Sequence, residues 1–386
     1  MSDLIRIPGS RIVEVSRLAF ERPDVDFVCF GESDQRSPSV AHEAAVASLD
    51  AGETRYCDVR GLPELRHALA DYLTGLHRRP VTEDRIQVTS SGMTAVAVAL
   101  AAVLHPGDRV VMHMPLWPNL PNAARLHGGV VDEIALDDTA DGGFRLDLDR
   151  LAAKIPGARA LVLNSPNNPT GWTATRAELT SILALCRRHG VWLISDEVYS
   201  RLIYTGAAAA PSLLDVAEPD DRVIVCNSFS KTFTMTGWRL GWMVLPHAAR
   251  DAVSDIVEVI HSGVAPFIQR AGIAVLREAE SVERFRAHCA QGRRMAVEAL
   301  TGLNGVRFTP PQGAFYAFIG VEGLSDSLDF AKRLVIHHGV AVAPGAAFGA
   351  SGEGHLRICF AQSESVLRRA MDRLRAGLRA ELAAFA

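Results

Sequence analysis

The sequence predicts an α/β protein, a three-layer sandwich around a mainly parallel sheet with a smaller α+β domain attached. Three observations predict it. Short apolar runs with strand character alternate with helical patterns through the middle of the chain, polar clusters follow those runs, and beyond about residue 247 the alternation changes to helices and then shorter strands.

Strands are expected at 85–89, 109–114, 130–135, 160–164, 191–196, 222–228 and 241–245. Helices are expected at 92–104 and 175–189, the second opened by Thr175 and Glu178 in capping-box spacing. Crossovers of this length favour parallel pairing, and ligands of open sheets gather at the carboxyl ends of the strands. The polar clusters fall there: Ser90-Ser91-Gly92, Pro115-Leu116-Trp117, 164–171, 196–199 and 228–231. One site is therefore expected. Past 247 the pattern is helical to Leu300, and strands follow at 315–319, 340–343 and 355–360. The final helix carries Leu367, Met371, Leu374, Leu378 and Leu382 on one stripe, with Arg368, Arg369, Arg373, Arg375 and Arg379 expected as a solvated face. This divides the chain into a large domain, 41–285, and a small one made of 1–40 and 286–386.

With 386 residues and 48% hydrophobic content, the chain can bury two cores. A formal charge of −4 supplies no basic field for nucleic acid or an anionic membrane. The six cysteines are scattered and never form C-x-x-C, which fits buried free thiols in a reducing cytoplasm. Residues 1–10 lack a signal-peptide pattern, and the longest helix-like apolar run, 95–104, is too short to span a bilayer. No metal site is expected.

Lys231 follows a strand and sits in Asn227-Ser228-Phe229-Ser230-Lys231-Thr232, with Arg239 shortly after. An amine that forms an imine with an aldehyde cofactor must be rigidly held and partly desolvated so that its neutral form can attack. Nearby hydroxyls and an arginine suit a phosphate, which points to pyridoxal phosphate. That cofactor needs a carboxylate to keep its pyridine nitrogen protonated, and Asp196 at the end of a strand is placed for it, although a helix cap is its ordinary alternative. Asn168 and Tyr199 can donate hydrogen bonds to the phenolate oxygen. Ser91-Gly92-Met93 opens a helix straight after a strand, where backbone N–H groups receive phosphate. Trp117 can stack on the ring or serve as a core or interface aromatic. Arg357 stands among apolar residues and needs an anion, either a substrate carboxylate or a structural Asp or Glu.

With these residues in place the chain resembles a fold-type I pyridoxal phosphate enzyme of the class I/II aminotransferase family, aspartate aminotransferase-like. The matching segments run in the family's order: Gly31-Glu32-Ser33-Asp34, Tyr56 with 61–66, Ser91-Gly92-Met93, 105–108, 164–171, 196–199, Ser228-x-Ser230-Lys231, Arg239 and Arg357. The resemblance implies that Lys231 forms the imine and later moves the proton, while Asp196 pairs with the pyridinium. It also implies that Asn168 and Tyr199 contact the phenolate oxygen and that Ser91, Gly92, Met93, Ser228 and Arg239 hold the phosphate, joined by Tyr56 from a partner subunit. Trp117 would stack on the ring. Arg357 would bind the substrate α-carboxylate, with the backbone of Gly31 close by. A homodimer with shared sites, passing an amino group from an L-amino acid to a 2-oxo acid by a ping-pong scheme, is the implied activity.

The N-terminal motif departs from many relatives, which have a proline and an aromatic where Ser33 and Gln35 stand. Met93 is uncharged where one aspartate-using branch has a lysine, so a dicarboxylate preference would need another cation. His261 falls in a segment that the resemblance places near the partner's site, where a role in side-chain recognition competes with an ordinary surface position. Elimination or decarboxylation on the same cofactor is the rival chemistry, because the substrate's pose selects which bond breaks. A DNA-binding regulator is disfavoured by the short stretch ahead of Gly31, and H-E-x-x-H, Walker and G-x-G-x-x-G motifs are absent.

Overall fold

A computed structural model describes residues 7–383. Seven strands form the main sheet: β1 (Ile86–Thr89), β2 (Arg109–Met114), β3 (Val130–Ala135), β4 (Ala160–Asn164), β5 (Trp192–Asp196), β6 (Val223–Ser228) and β7 (Gly241–Val244). Their spatial order is β1-β7-β6-β5-β4-β2-β3, with β7 antiparallel to both neighbours and the other pairs parallel. Each expected strand is present, with ends shifted by a residue or less.

The sheet is covered on both faces, which is why its strands read as nearly continuous apolar runs. Alternate side chains separate into two cores. Val111, Leu161, Leu163, Leu193 and Val225 join one apolar cluster, while Val110, Met112, Val162, Ile194 and Ile224 join the other. The second cluster includes helix Gly92–Val103, which packs on helices Asn119–Leu126 and Arg250–His261. Helix Arg176–His189 starts with the expected capping box, Thr175 accepting from the Glu178 amide and Glu178 from the Thr175 amide.

A further apolar cluster draws on residues 12–29 and 285–378, together with Tyr199 and Leu202. It lies around a four-stranded sheet that contains Tyr316–Val321 and His355–Cys359. The expected strand at 340–343 is split. Val340–Ala341 pairs with Asp26–Phe27, and Ala343–Pro344 pairs with His355–Cys359. The final helix buries Leu367, Met371, Leu374 and Leu378, as its stripe requires.

On its arginine face Arg368, Arg369 and Arg379 are exposed, as expected, but the face also makes a pairing that was not expected. Arg369 and Arg373 both bind the carboxylate of Asp26, which is buried on the short N-terminal strand. A buried carboxylate must be paired, and its partner comes from more than 300 residues away in the chain. Nothing in the helix's own pattern signals that. All six cysteines are free; Cys57 is half-buried and the others are buried. Among the described residues no helix is long and apolar enough to cross a membrane.

Candidate active site

The carboxyl ends of β1, β4, β5 and β6 meet the second sheet across a cavity of about 380 Å³. Eleven of the thirteen candidate residues line it: Gly31, Gly92, Met93, Trp117, Asn168, Asp196, Tyr199, Ser228, Lys231, Arg239 and Arg357. The main sheet supplies one wall. Arg357 and Tyr316 come from the other sheet, so the cavity exists only because two separately built cores meet.

Lys231 lies in the four-residue helix Phe229–Thr232, whose cap is the Ser228 hydroxyl. Its Nζ donates to the Gly31 carbonyl at 2.7 Å. Removal from water lowers the amine's pKa to about 8, with Arg357 and Arg239 adding to the effect against Cys359 and Glu32. The neutral nucleophile is therefore accessible close to neutrality. Gly31 must be glycine here, because a Cβ would come within 2.5 Å of the Tyr316 hydroxyl.

Asp196 ends β5, and burial pushes its carboxyl up to about 7. Among the described residues its only hydrogen-bond donor is the Val198 amide, at 3.3 Å. A buried acid with so little compensation accommodates a cationic ring nitrogen, whose charge would restore the carboxylate. Glu197 next to it serves another purpose, since Ser195, Ser212 and the Leu213 amide satisfy it within the core.

An anion cradle lines the same cavity. The first intrahelical bond of Gly92–Val103 is Ala95 to Ser91, so the amides of Gly92 and Met93 precede the helix's own ladder. A Cβ at Gly92 would sit 3.0 Å from Ser228 Cβ and from Val198 Cγ1. On β7, a Cβ at Gly241 would lie 2.5 Å from the Ser91 carbonyl carbon and 2.6 Å from the Gly92 nitrogen. The sheet can approach the cradle only through a bare backbone. Ser228 Oγ bonds Ser230 Oγ at 2.9 Å, and Arg239 Nη1 reaches Ser230 Oγ at 3.5 Å. Hydroxyls, helix amides and a guanidinium are the donor set that a phosphate monoester needs.

Ser91 caps the helix with its side chain. Its hydroxyl accepts from the Thr94 amide at 2.9 Å as the helix cap, and it does not line the cavity. Tyr56 is outside the cavity of its own chain, 93% exposed. His261 is also outside it, with Nδ1 at 3.2 Å from the Gly263 carbonyl.

Arg357 is 2% exposed and has no Asp or Glu partner among the described residues. Its Nη1 donates to Asn168 Oδ1 at 2.9 Å and its Nη2 donates to the Cys29 carbonyl, while Nε is unpartnered. The guanidinium lies between two rings, 4.4 Å from the Tyr316 centroid and 4.8 Å from that of Phe348. The bond to Arg357 also orients Asn168. Because a guanidinium can only donate, the amide oxygen faces it and Nδ2 remains a donor for the cavity. Tyr199 bonds Tyr316 through their hydroxyls at 2.7 Å.

Sequence reasoning missed Tyr316, which touches Arg357, Tyr199 and the Gly31 backbone, and it assigned no role to Ser230. Ser230 was visible beside Lys231 in its motif. Tyr316 had no local signal, since its strand reads as ordinary core. The wall formed by Ile12, Val13 and Phe30 was also unforeseen.

An acid, an amine, an anion cradle and a buried guanidinium lining one cavity define a fold-type I pyridoxal phosphate enzyme. The family model for aminotransferase class I and II matches residues 26–374, and the chain belongs to that family. It is 33% identical to the aspartate aminotransferase of Pyrococcus horikoshii over 98% of this chain and 97% of the relative. It is also 33% identical to an arginine–pyruvate transaminase of Pseudomonas aeruginosa, over 89% and 87% of the two chains. The solved aspartate aminotransferase of Thermotoga maritima superposes with a TM-score of 0.89 at 33% identity, covering 97% of this chain and 98% of that one. The activity is pyridoxal phosphate-dependent amino-group transfer between an amino acid and a 2-oxo acid.

Proposed function

We propose a division of labour among the cavity residues. Bound pyridoxal phosphate supplies an aldehyde for amine exchange and a ring that withdraws electrons from the substrate's α-carbon. Asp196 holds a proton at the ring nitrogen. Gly92, Met93, Ser228, Ser230 and Arg239 hold the phosphate, while Trp117 covers one face of the ring. Asn168 Nδ2 and the Tyr199 hydroxyl donate toward the phenolate oxygen. Lys231 would take the substrate's α-proton as general base and return it as general acid. The same residues serve both halves of a ping-pong cycle.

The observation that carries this reading is Arg357, a buried cation with no carboxylate partner among the described residues. Leaving such a charge unpaired is costly, and the α-carboxylate of an amino acid would satisfy it. The test uses the purified, cofactor-loaded protein and a panel of L-amino acids. A reactive donor should shift the cofactor's visible absorbance and release one equivalent of 2-oxo acid, and a second 2-oxo acid should restore the spectrum. Spectral change without 2-oxo acid, or with loss of carbon dioxide, would defeat the assignment.

We also propose a homodimer with shared sites. Tyr56 and Val259 are 93% and 87% exposed, and their segments are linked where Cys57 Sγ meets the Val264 carbonyl at 3.4 Å. Exposed apolar side chains gathered this way mark an interface. From it Tyr56 would reach the phosphate of the facing site. Sedimentation of a monomer at working concentration would refute this. The cores described above support a division into 41–285 and 1–40 with 286–386. The unpaired cysteines support a cytoplasmic location, testable by fractionation.

A further inference from the structure

Tyr316 has no task in the proposed site, yet it touches three of its groups. It is fully buried and lines the cavity. Its strand, Tyr316–Val321, pairs antiparallel with His355–Cys359 so that Tyr316 stands opposite Cys359 and Phe318 opposite Arg357. Opposite residues share a face and every second residue repeats it, which puts Arg357 diagonally beside Tyr316. The guanidinium lies 4.4 Å from the ring centroid. The Tyr316 hydroxyl is 2.7 Å from that of Tyr199, and a Cβ at Gly31 would come within 2.5 Å of it.

Two hydroxyls that bond each other use one hydrogen and leave the other over. Among the described residues neither hydroxyl has a further hydrogen-bond partner. If Tyr199 donated, the hydrogen left on Tyr316 would be buried with nothing to receive it, at the cost of an unsatisfied polar group. If Tyr316 donates, the spare hydrogen belongs to Tyr199, for which the proposed site provides an acceptor in the phenolate oxygen. An anionic acceptor there selects the second order. Arg357 acts in the same sense, because a cation over the Tyr316 ring draws electron density from its oxygen and favours it as the donor. Burial raises the pKa of both hydroxyls, so both stay protonated.

We propose that Tyr316 is a positioning residue that donates to Tyr199 and thereby fixes the Tyr199 hydroxyl as a donor to the cofactor. This rests on the proposed contact between Tyr199 and the phenolate oxygen. Hydrogen bonds in a chain polarise one another, so a donor behind Tyr199 strengthens the one ahead of it. The pair also joins the two sheets, since Tyr199 follows β5 of the main sheet and Tyr316 opens a strand of the second. The donor is complete only once the second sheet is in place.

The test reads the visible absorbance of the loaded enzyme against pH, with no substrate present. A donor at the phenolate oxygen withdraws charge that would otherwise hold the proton on the Lys231 nitrogen, so a weaker donor raises the pH midpoint. Tyr199→Phe should raise it by roughly one to two units, the size of a hydrogen bond to a charged group. Tyr316→Phe keeps the ring and should raise it by roughly half a unit to one unit, the size of a neutral bond. The double variant should match Tyr199→Phe alone, as expected when one residue acts through the other. KM for a reactive L-amino acid should stay within about threefold in Tyr316→Phe, because the ring beside Arg357 remains. Thermal melts of each variant show whether the fold is kept. An unchanged or lower midpoint in Tyr316→Phe, beside a raised one in Tyr199→Phe, would overturn the inference and leave the site reading intact. A further rise in the double variant would also overturn it, since Tyr316 would then act without Tyr199. An unchanged midpoint in Tyr199→Phe would sink the Tyr199 assignment itself, and this inference with it.

Discussion

Replacing Arg357 by methionine removes the guanidinium while keeping an unbranched side chain of similar reach. In the free protein two effects oppose. Asn168 Oδ1 and the Cys29 carbonyl lose their donors, costing about 1–3 kcal/mol each. A buried cation without a carboxylate partner also disappears, which returns several kcal/mol. The melting temperature should therefore move by only a few degrees in either direction. Substrate binding has no such offset, because the α-carboxylate then enters an apolar slot between Tyr316 and Phe348. Breaking a buried ion pair by removing one member costs about 3–5 kcal/mol, which corresponds to roughly a hundredfold to a several-thousandfold rise in KM. The informative assay compares an L-amino acid with the amine that has the same side chain and no carboxylate, following cofactor absorbance with each. Wild-type protein should prefer the amino acid strongly and the variant should lose that preference, as in a cycle where carboxylate and guanidinium are deleted in turn. A KM within about threefold of wild type, or an equal loss for amine and amino acid, would show that Arg357 does not hold the carboxylate.

The other predictions concern the amine, the acid and the cradle. Borohydride reduction of the loaded enzyme followed by peptide mapping should label Lys231, and Lys231→Ala should abolish both label and turnover. In cofactor-free protein, burial holds Asp196 at about 7 against its ordinary 3.8, so the folded state keeps a proton that the unfolded chain releases between those values. Its stabilising contribution is full below the lower value and lost as pH rises through the upper one, and Asp196→Asn should flatten the fall in urea midpoint across that window. Lys231 acts with the opposite sign, because its amine is lowered from 10.5 to about 8 and stability from this group should rise with pH between them. Gly241→Ala would place a Cβ 2.5 Å from the Ser91 carbonyl carbon. A backbone shift at the cradle should follow, with cofactor retention after dialysis falling at least tenfold and a stability loss of about 1–3 kcal/mol by denaturant titration.

The period of the apolar pattern and its punctuation are local properties, so the alternating strands and helices, the capping box at Thr175 and the positions of Lys231, Asp196 and Gly92 at strand ends were legible in the sequence. These are consequences of backbone geometry acting over a few residues. The antiparallel direction of β7 was not legible, because strand direction depends on which neighbours the chain returns to. The pairing of Arg369 and Arg373 with Asp26 was hidden for the same reason, since a solvated stripe and one that also holds a buried carboxylate look alike on a single helix. Tyr316 and Val13 belong with them. Each reads locally as part of an ordinary strand or helix, and each reaches the cavity only when residues 12–31 and 316–357 close over the main sheet. The sequence by itself determined the elements and pointed to the cofactor, because these rest on residue types held at short spacing, while the reaction came from the chain's resemblance to class I and II aminotransferases. Only the tertiary structure decided what surrounds the substrate, because that wall is assembled from segments hundreds of residues apart by burial of a second core.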